Sequence, residues 1–187
     1  MSGATLVGLV GNFSRPSKTY ALVETVAGLA AEQYGFRTQL HDLTDIGPSL
    51  GNARHSNDLD GVARQAVQNI VSADVLVVGS PTYKGSYTGL FKHFFDLVDP
   101  LALQGKPVIL TATGGGDRHA LIVEHQLRPL FGFFMAHTLP SAVYAADRDF
   151  ADYRLVSEPI RRRAEQAVAE LGAFFSSISN HTAMAAE

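Results

Sequence analysis

Residues 75–98 read VLVVGSPTYKGSYTGLFKHFFDLV, and the fold follows from how this stretch divides. Val75–Val78 is apolar at every position, the pattern of a central strand buried on both faces. Gly79–Gly89 is rich in Gly, Ser, Thr and Pro, and Pro81 fixes the exit from the strand. Leu90–Val98 is apolar nearly all round, which predicts a well-buried helix. The same alternation runs outward in both directions. Upstream lie an apolar strand at Thr5–Val10 and a helix at Lys18–Tyr34, capped by Ser17 and ended by Gly35. An outer strand at Arg37–Leu43 and a loop at Thr44–Asn57 follow. A helix with Leu59, Val62, Ala66, Ile70 and Ala73 on one stripe then leads to Val75. Downstream come a strand at Val108–Thr113 and a helix at Ala120–Met135 that Pro129 must kink. A strand at Ser141–Ala145 and a helix opened by Ser157 and Pro159 complete the series. Five strands alternating with five helices predict an α/β chain, a doubly wound five-stranded parallel sheet with helices on both faces.

The chain has 187 residues, 46% apolar and 18% charged, within the range of one globular domain. We expect a single domain over residues 1–176 and a flexible C-terminal tail over 177–187. There is no cysteine, which excludes disulfides, thiolate metal sites and cysteine nucleophiles. A net charge of −3 carries no basic signature for nucleic acid. The apolar runs are too short for a membrane span. Met1–Thr5 lacks a basic lead-in and Leu6–Val10 is too short for a secretory core, so a cytoplasmic protein is expected.

Doubly wound sheets bind ligands beyond the carboxyl ends of their strands, where strand order reverses. Three loops therefore matter. The first, Gly11-Asn12-Phe13-Ser14-Arg15-Pro16-Ser17-Lys18-Thr19, gathers hydroxyls at Ser14, Ser17 and Thr19 and cations at Arg15 and Lys18 ahead of a helix. Backbone amides, helix dipole and cations there favour a phosphate. Neither G-x-G-x-x-G nor G-x-x-x-x-G-K-[ST] is present, which disfavours dinucleotide and Walker-type sites. In the second, Pro81, Thr82, Tyr83, Lys84 and Ser86 surround glycines, with Tyr83 offering an aromatic face. In the third, Thr113, Gly114, Gly115, Gly116, Asp117 and His119 expose backbone to a flat ring with carbonyl and nitrogen edges. Each loop alone reads equally as a tight turn. Together they supply the parts for flavin mononucleotide, FMN.

The run Pro81-Thr82-Tyr83-Lys84-Gly85-Ser86-Tyr87-Thr88-Gly89-Leu90-Phe91-Lys92 resembles the P-x-Y-x-x-S-x-x-G-x-x-K signature of flavodoxin-like NAD(P)H-dependent FMN reductases. Ala112-Thr113-Gly114-Gly115, His119 and Arg128-Pro129 resemble the branch that serves two-component alkanesulfonate and methanesulfonate monooxygenases. The resemblance implies a flavodoxin-like sheet in the order 2-1-3-4-5 and FMN bound by all three loops. It also implies hydride transfer from NADH or NADPH, and delivery of reduced flavin to an FMN-dependent monooxygenase. The family often has Gly-Ser where this chain has Gly11-Asn12. In some members a tyrosine that packs a tetramer stands where this chain has His125.

Other constellations read as structural. The seven histidines are scattered and none forms H-E-x-x-H, so no metal is expected. No Gly-x-Ser-x-Gly elbow marks a hydrolase. Arg161-Arg162-Arg163 reads as a solvated helix face, with Glu158 and Arg162 an i,i+4 pair. Phe131, Phe133, Phe134 and Met135 cannot all face one side of a helix, so a homodimer or homotetramer is expected around residues 114–135. Alternatives to a flavin reductase are a quinone, azo or chromate reductase with tightly bound FMN, and a flavodoxin-like electron carrier. No paired carboxylate is present for acid–base catalysis, which suits chemistry carried by cofactors.

Overall fold

A computed structural model describes residues 3–175. The tail expected over 177–187 lies outside the described residues. Strand β1 (Thr5–Val10) runs between β2 (Arg37–Asp42) and β3 (Val75–Pro81), and β3 pairs with β4 (Pro107–Gly114), all parallel. With β5 (His137–Thr138) beside β4, the order is β2-β1-β3-β4-β5, the flavodoxin-like arrangement. The residues of each strand alternate between two cores. Leu6, Val10, Val75, Val77 and Ile109 pack under α1 (Lys18–Tyr34) and the last long helix. Val7, Leu9, Leu76, Val78 and Leu110 pack on the opposite face. That opposite face is covered by α4 (Gly61–Ser72) and α5 (Gly89–Asp96).

The fifth strand differs from expectation. The edge of β4 is covered by two short pieces, β5 (His137–Thr138) beside Pro107–Val108 and β6 (Val143–Ala146) beside Thr111–Gly114. Pro140 lies between them; it has no N–H to give the ladder, and the strand breaks there. The stretch expected as a loop after β2 contains two single-turn helices, α2 (Leu43–Ile46) and α3 (Ser49–Asn52). The first is nucleated by Asp42, whose carboxylate accepts from the Thr44 and Asp45 amides. A small hairpin of β7 (Phe150–Ala151) and β8 (Arg154–Leu155) has no counterpart in the sequence reading.

The helix expected over 120–135 is interrupted. A π-helical turn at Val123–Leu127 leads into α6 (Arg128–Phe133). Pro129 has no N–H for the carbonyl four residues back, and the preceding turn widens to accommodate it. In the last helix, α7 (Glu158–Ala169), the i,i+4 pair is Arg161 with Glu165 at 3.3 Å. Glu158 and Arg162 form no ion pair among the described residues. Arg161, Arg162 and Arg163 are all exposed, and Arg163 donates to the Ala142 carbonyl at 3.0 Å.

α1 crosses β3 at its glycine. A Cβ on Gly79 would stand 2.5 Å from Val23 Cγ2 and 2.6 Å from Thr111 Oγ1. Gly79→Ala should therefore force α1 away from the sheet and cost about 1–3 kcal/mol. A thermal melt with an unshifted midpoint would contradict this close approach.

Candidate active site

Beyond the carboxyl ends of β1, β3 and β4 lies an open crevice of roughly 360 Å³. Its first wall is the turn from Asn12 to Thr19. Ser17 caps α1 by accepting from the Tyr20 amide at 3.2 Å, leaving its own O–H free to donate. The first amides of α1 have no intrahelical acceptor and face the same end. Asn12, 4% exposed, donates from Nδ2 to the Ser14 carbonyl at 2.9 Å and to Asp42 Oδ2 at 3.2 Å. Thr19 and Thr113 join hydroxyls at 2.6 Å, pinning the start of α1 to the end of β4.

Thr113 also organises the second wall. Its carbonyl accepts from the Thr82 amide at 2.7 Å and the Thr82 hydroxyl at 2.8 Å. Tyr83 stands at the rim, half exposed, with Phe13 edge-on to it at 5.9 Å between centroids. Tyr83 and Ser86 exchange backbone hydrogen bonds around Lys84 and Gly85, both at positive φ. This turn sends Lys84 outward, and the Ser86 hydroxyl donates to Gln126 on the π-turn. Pro81, Thr82 and Tyr83 line the crevice, whereas Lys84 and Ser86 do not.

Gly114 and Gly115 form the third wall. A Cβ on Gly114 would lie 2.5 Å from Tyr144 Oη and would displace that phenol, which donates to the Gly116 carbonyl at 2.6 Å. Gly116, Asp117 and His119 do not line the crevice. Asp117 pairs with Arg148 at 2.6 Å, and that hydrogen bond lowers the Asp117 pKa. His119 accepts from Arg118 Nε at 3.2 Å.

Arg15 departs from the expected arrangement. It does not line the crevice; its guanidinium reaches back to Asp42 at 2.7 Å and Asp45 at 2.6 Å. Two carboxylates there outcompete solvent for the fork of N–H groups. The hydrogen bond that Arg15 donates to Asp42 is the main reason the guanidinium pKa is raised. For Asp42, burial pushes the pKa up, but the Arg15 hydrogen bond, the Asp45 amide and Asn12 together bring it below the ordinary value. The crevice also contains Pro16, Asp147 and Tyr153. Pro16 belongs to the first loop. Asp147 and Tyr153 arrive from the hairpin region after β6, and no motif in the sequence marks them.

FMN fits these residues. Asn12 Oδ1 is buried and has no hydrogen-bond donor; a ribityl chain supplies hydroxyl donors, which a phosphate monoester as a dianion lacks. The hydroxyls and the Lys18 ammonium suit the phosphate, and Tyr83 with the two glycines suits a flat ring. Among the described residues, no three His, Asp or Glu side chains gather as metal ligands. Among the same residues, no helix is long and apolar enough to cross a membrane.

Comparison with known proteins defines the class. A family model described as NADPH-dependent FMN reductase matches residues 4–151, and the chain belongs to that family. It is an oxidoreductase of FMN that uses NADH or NADPH. Two relatives from pseudomonads show similarity across nearly the whole length. The NADH-dependent FMN reductase SfnF of Pseudomonas fluorescens is 44% identical over 170 residues, 91% of each chain. The FMN reductase (NADPH) of Pseudomonas aeruginosa is also 44% identical over 170 residues, 91% of each chain. A solved apo NADH:FMN oxidoreductase, EmoB, superposes with a TM-score of 0.82 at 27% identity, covering 92% of this chain and 90% of its own.

Proposed function

We propose that this FMN reductase treats flavin as a substrate and hands reduced FMN to a two-component monooxygenase of sulfonate metabolism. The observation that carries this reading is the convergence of the Ser14–Thr19 turn, Tyr83 and Gly114–Gly115 on one open crevice. The chemistry FMN supplies when bound is hydride acceptance from a nicotinamide. Ser14, Ser17, Lys18 and Thr19 hold its phosphate end, and Asn12 accepts from its ribityl chain. Arg15 braces the turn through Asp42 and Asp45. Pro81, Thr82 and Tyr83 flank the ring opposite Thr113, Gly114 and Gly115. Lys84, Ser86, Gly116, Asp117 and His119 do not line the crevice and make no contact with the ring in this reading. The only charged side chains lining the crevice among the described residues are Lys18 and Asp147, so no acid–base dyad is required. The branch resemblance of Ala112–Gly115, His119 and Arg128-Pro129 supports the sulfonate assignment, and the use of NAD(P)H supports a cytoplasmic setting.

The enzyme works as a homodimer or homotetramer in this reading. Leu121 is 62% exposed, Phe133 66% and Met135 48%, and they flank the π-turn that carries His125. A patch of that kind on a chain of this size favours a self-complementary contact.

Steady-state assays test the proposal directly. NADH and NADPH are compared with FMN, FAD, riboflavin and a quinone as acceptors. FMN should be the preferred acceptor, with KM for riboflavin about ten-fold higher because charge-assisted bonds to the phosphate are lost. Reduced FMN from the assay should support sulfite release by a flavin-dependent sulfonate monooxygenase. Efficient quinone reduction without added or exchanging flavin would replace this reading with that of a tight-binding quinone reductase.

A further inference from the structure

The crevice neutralises its own cation. Lys18 opens α1, at the end where backbone amides favour an anion. Asp147 comes from the turn after β6, on the opposite wall. Asp147 Oδ1 accepts from Lys18 Nζ at 2.8 Å. Its other oxygen lies 3.9 Å from the Cβ position of Gly115, so the carboxylate stands between the head of α1 and the glycine loop. The next residue, Arg148, pairs with Asp117 at 2.6 Å and keeps the turn beside that loop. A pocket shaped only for tight anion binding would leave Lys18 unopposed.

We propose that Asp147 is a built-in competitor of the FMN phosphate for Lys18, setting the affinity low enough for flavin to leave after reduction. This deepens the reading of the crevice as an FMN site and rests on it. A phosphate dianion and a carboxylate both close to one ammonium repel each other, so gaining one weakens the hold on the other. The Asp147 side chain is 62% exposed, and Lys18 is its hydrogen-bond partner among the described residues. Breaking such a pair costs only a few-fold in equilibrium terms. The carboxylate therefore yields to phosphate but taxes its binding. It does not act on a flavin without phosphate.

The test uses Asp147→Asn, which keeps the shape and removes the charge, with Lys18→Gln and the double variant. FMN and riboflavin affinities are measured by quenching of flavin fluorescence at low ionic strength. Asp147→Asn should bind FMN roughly three- to ten-fold more tightly, release it more slowly in stopped-flow, and leave riboflavin unchanged. Added salt should narrow the difference. In the Lys18→Gln background most of the gain should disappear. Unchanged or weaker FMN binding in Asp147→Asn would overturn the inference while leaving the FMN site intact. An equal gain for riboflavin, or a gain undiminished by Lys18→Gln, would overturn it in the same way. A wild-type chain that binds neither flavin would overturn the reading of the crevice itself, and this inference with it.

Discussion

Asp42→Ala should lower stability by about 2–3 kcal/mol and weaken FMN binding with it. The Asp42 side chain is fully buried and accepts from Arg15 Nε, Asn12 Nδ2 and the amides of Thr44 and Asp45. Removing it leaves the Asn12 amide and the α2 cap short of an acceptor, at about 1–3 kcal/mol for buried donors. The Arg15 side chain is 48% exposed, so solvent recovers most of its share, and the loss stays below that of a fully buried pair. For a domain of this size the melting point should fall by about 5–10 °C. FMN should suffer more than riboflavin, because the turn that loses its bracing is the phosphate turn. The pH dependence has a definite sign. The folded-state pKa of Asp42 is lowered, so its contribution is complete above about pH 4, the unfolded value. It is lost as pH falls through the lower folded value. The acid limb of a stability profile should thus flatten in the variant. An unchanged acid limb, or a melting point within 1–2 °C of wild type, an interval worth about 0.5 kcal/mol, would refute the bracing role.

Phe95→Ala carries the largest expected cost, about 3–5 kcal/mol. Phe95 is 2% exposed and meets four other rings, Phe91 at 5.0 Å, Phe94 at 5.2 Å, Phe131 at 4.9 Å and Phe134 at 5.9 Å. Three of those contacts are edge-to-face, the favoured geometry of aromatic pairs. Phe95 joins α5, which follows the Tyr83 loop, to α6, which follows the glycine loop. Urea unfolding should show a lower midpoint with an unchanged slope if the loss is one of packing alone. A loss under about 1 kcal/mol would mean that the five rings repack, since the cavity term would then be absent.

Much of this architecture was written locally. Val75–Val78 and Thr5–Val10 are apolar at nearly every position, and such strands need cover on both faces; helices of matching periodicity between them leave few topologies. The Ser17 cap, the Gly35 stop and the three loops also lie within short windows whose chemistry is visible residue by residue. The kink at Pro129 was legible for the same reason, since a missing N–H acts on its own helix, though not that the turn would take π form.

Tertiary structure decided the partners. Arg15 stands among phosphate-loop hydroxyls in sequence, yet its guanidinium turns to Asp42 and Asp45, 27 and 30 residues onward. The register of β2 beside β1 puts Val10 opposite Asp42 and so brings those carboxylates to the turn. Asp147 reaches Lys18 across 129 residues because β6 ends beside Gly114 and its following turn overhangs the crevice. A sequence window records which faces meet water and which turns the backbone must take. Which charge ends opposite which is set by strand register and loop path, long-range geometry that no local pattern contains.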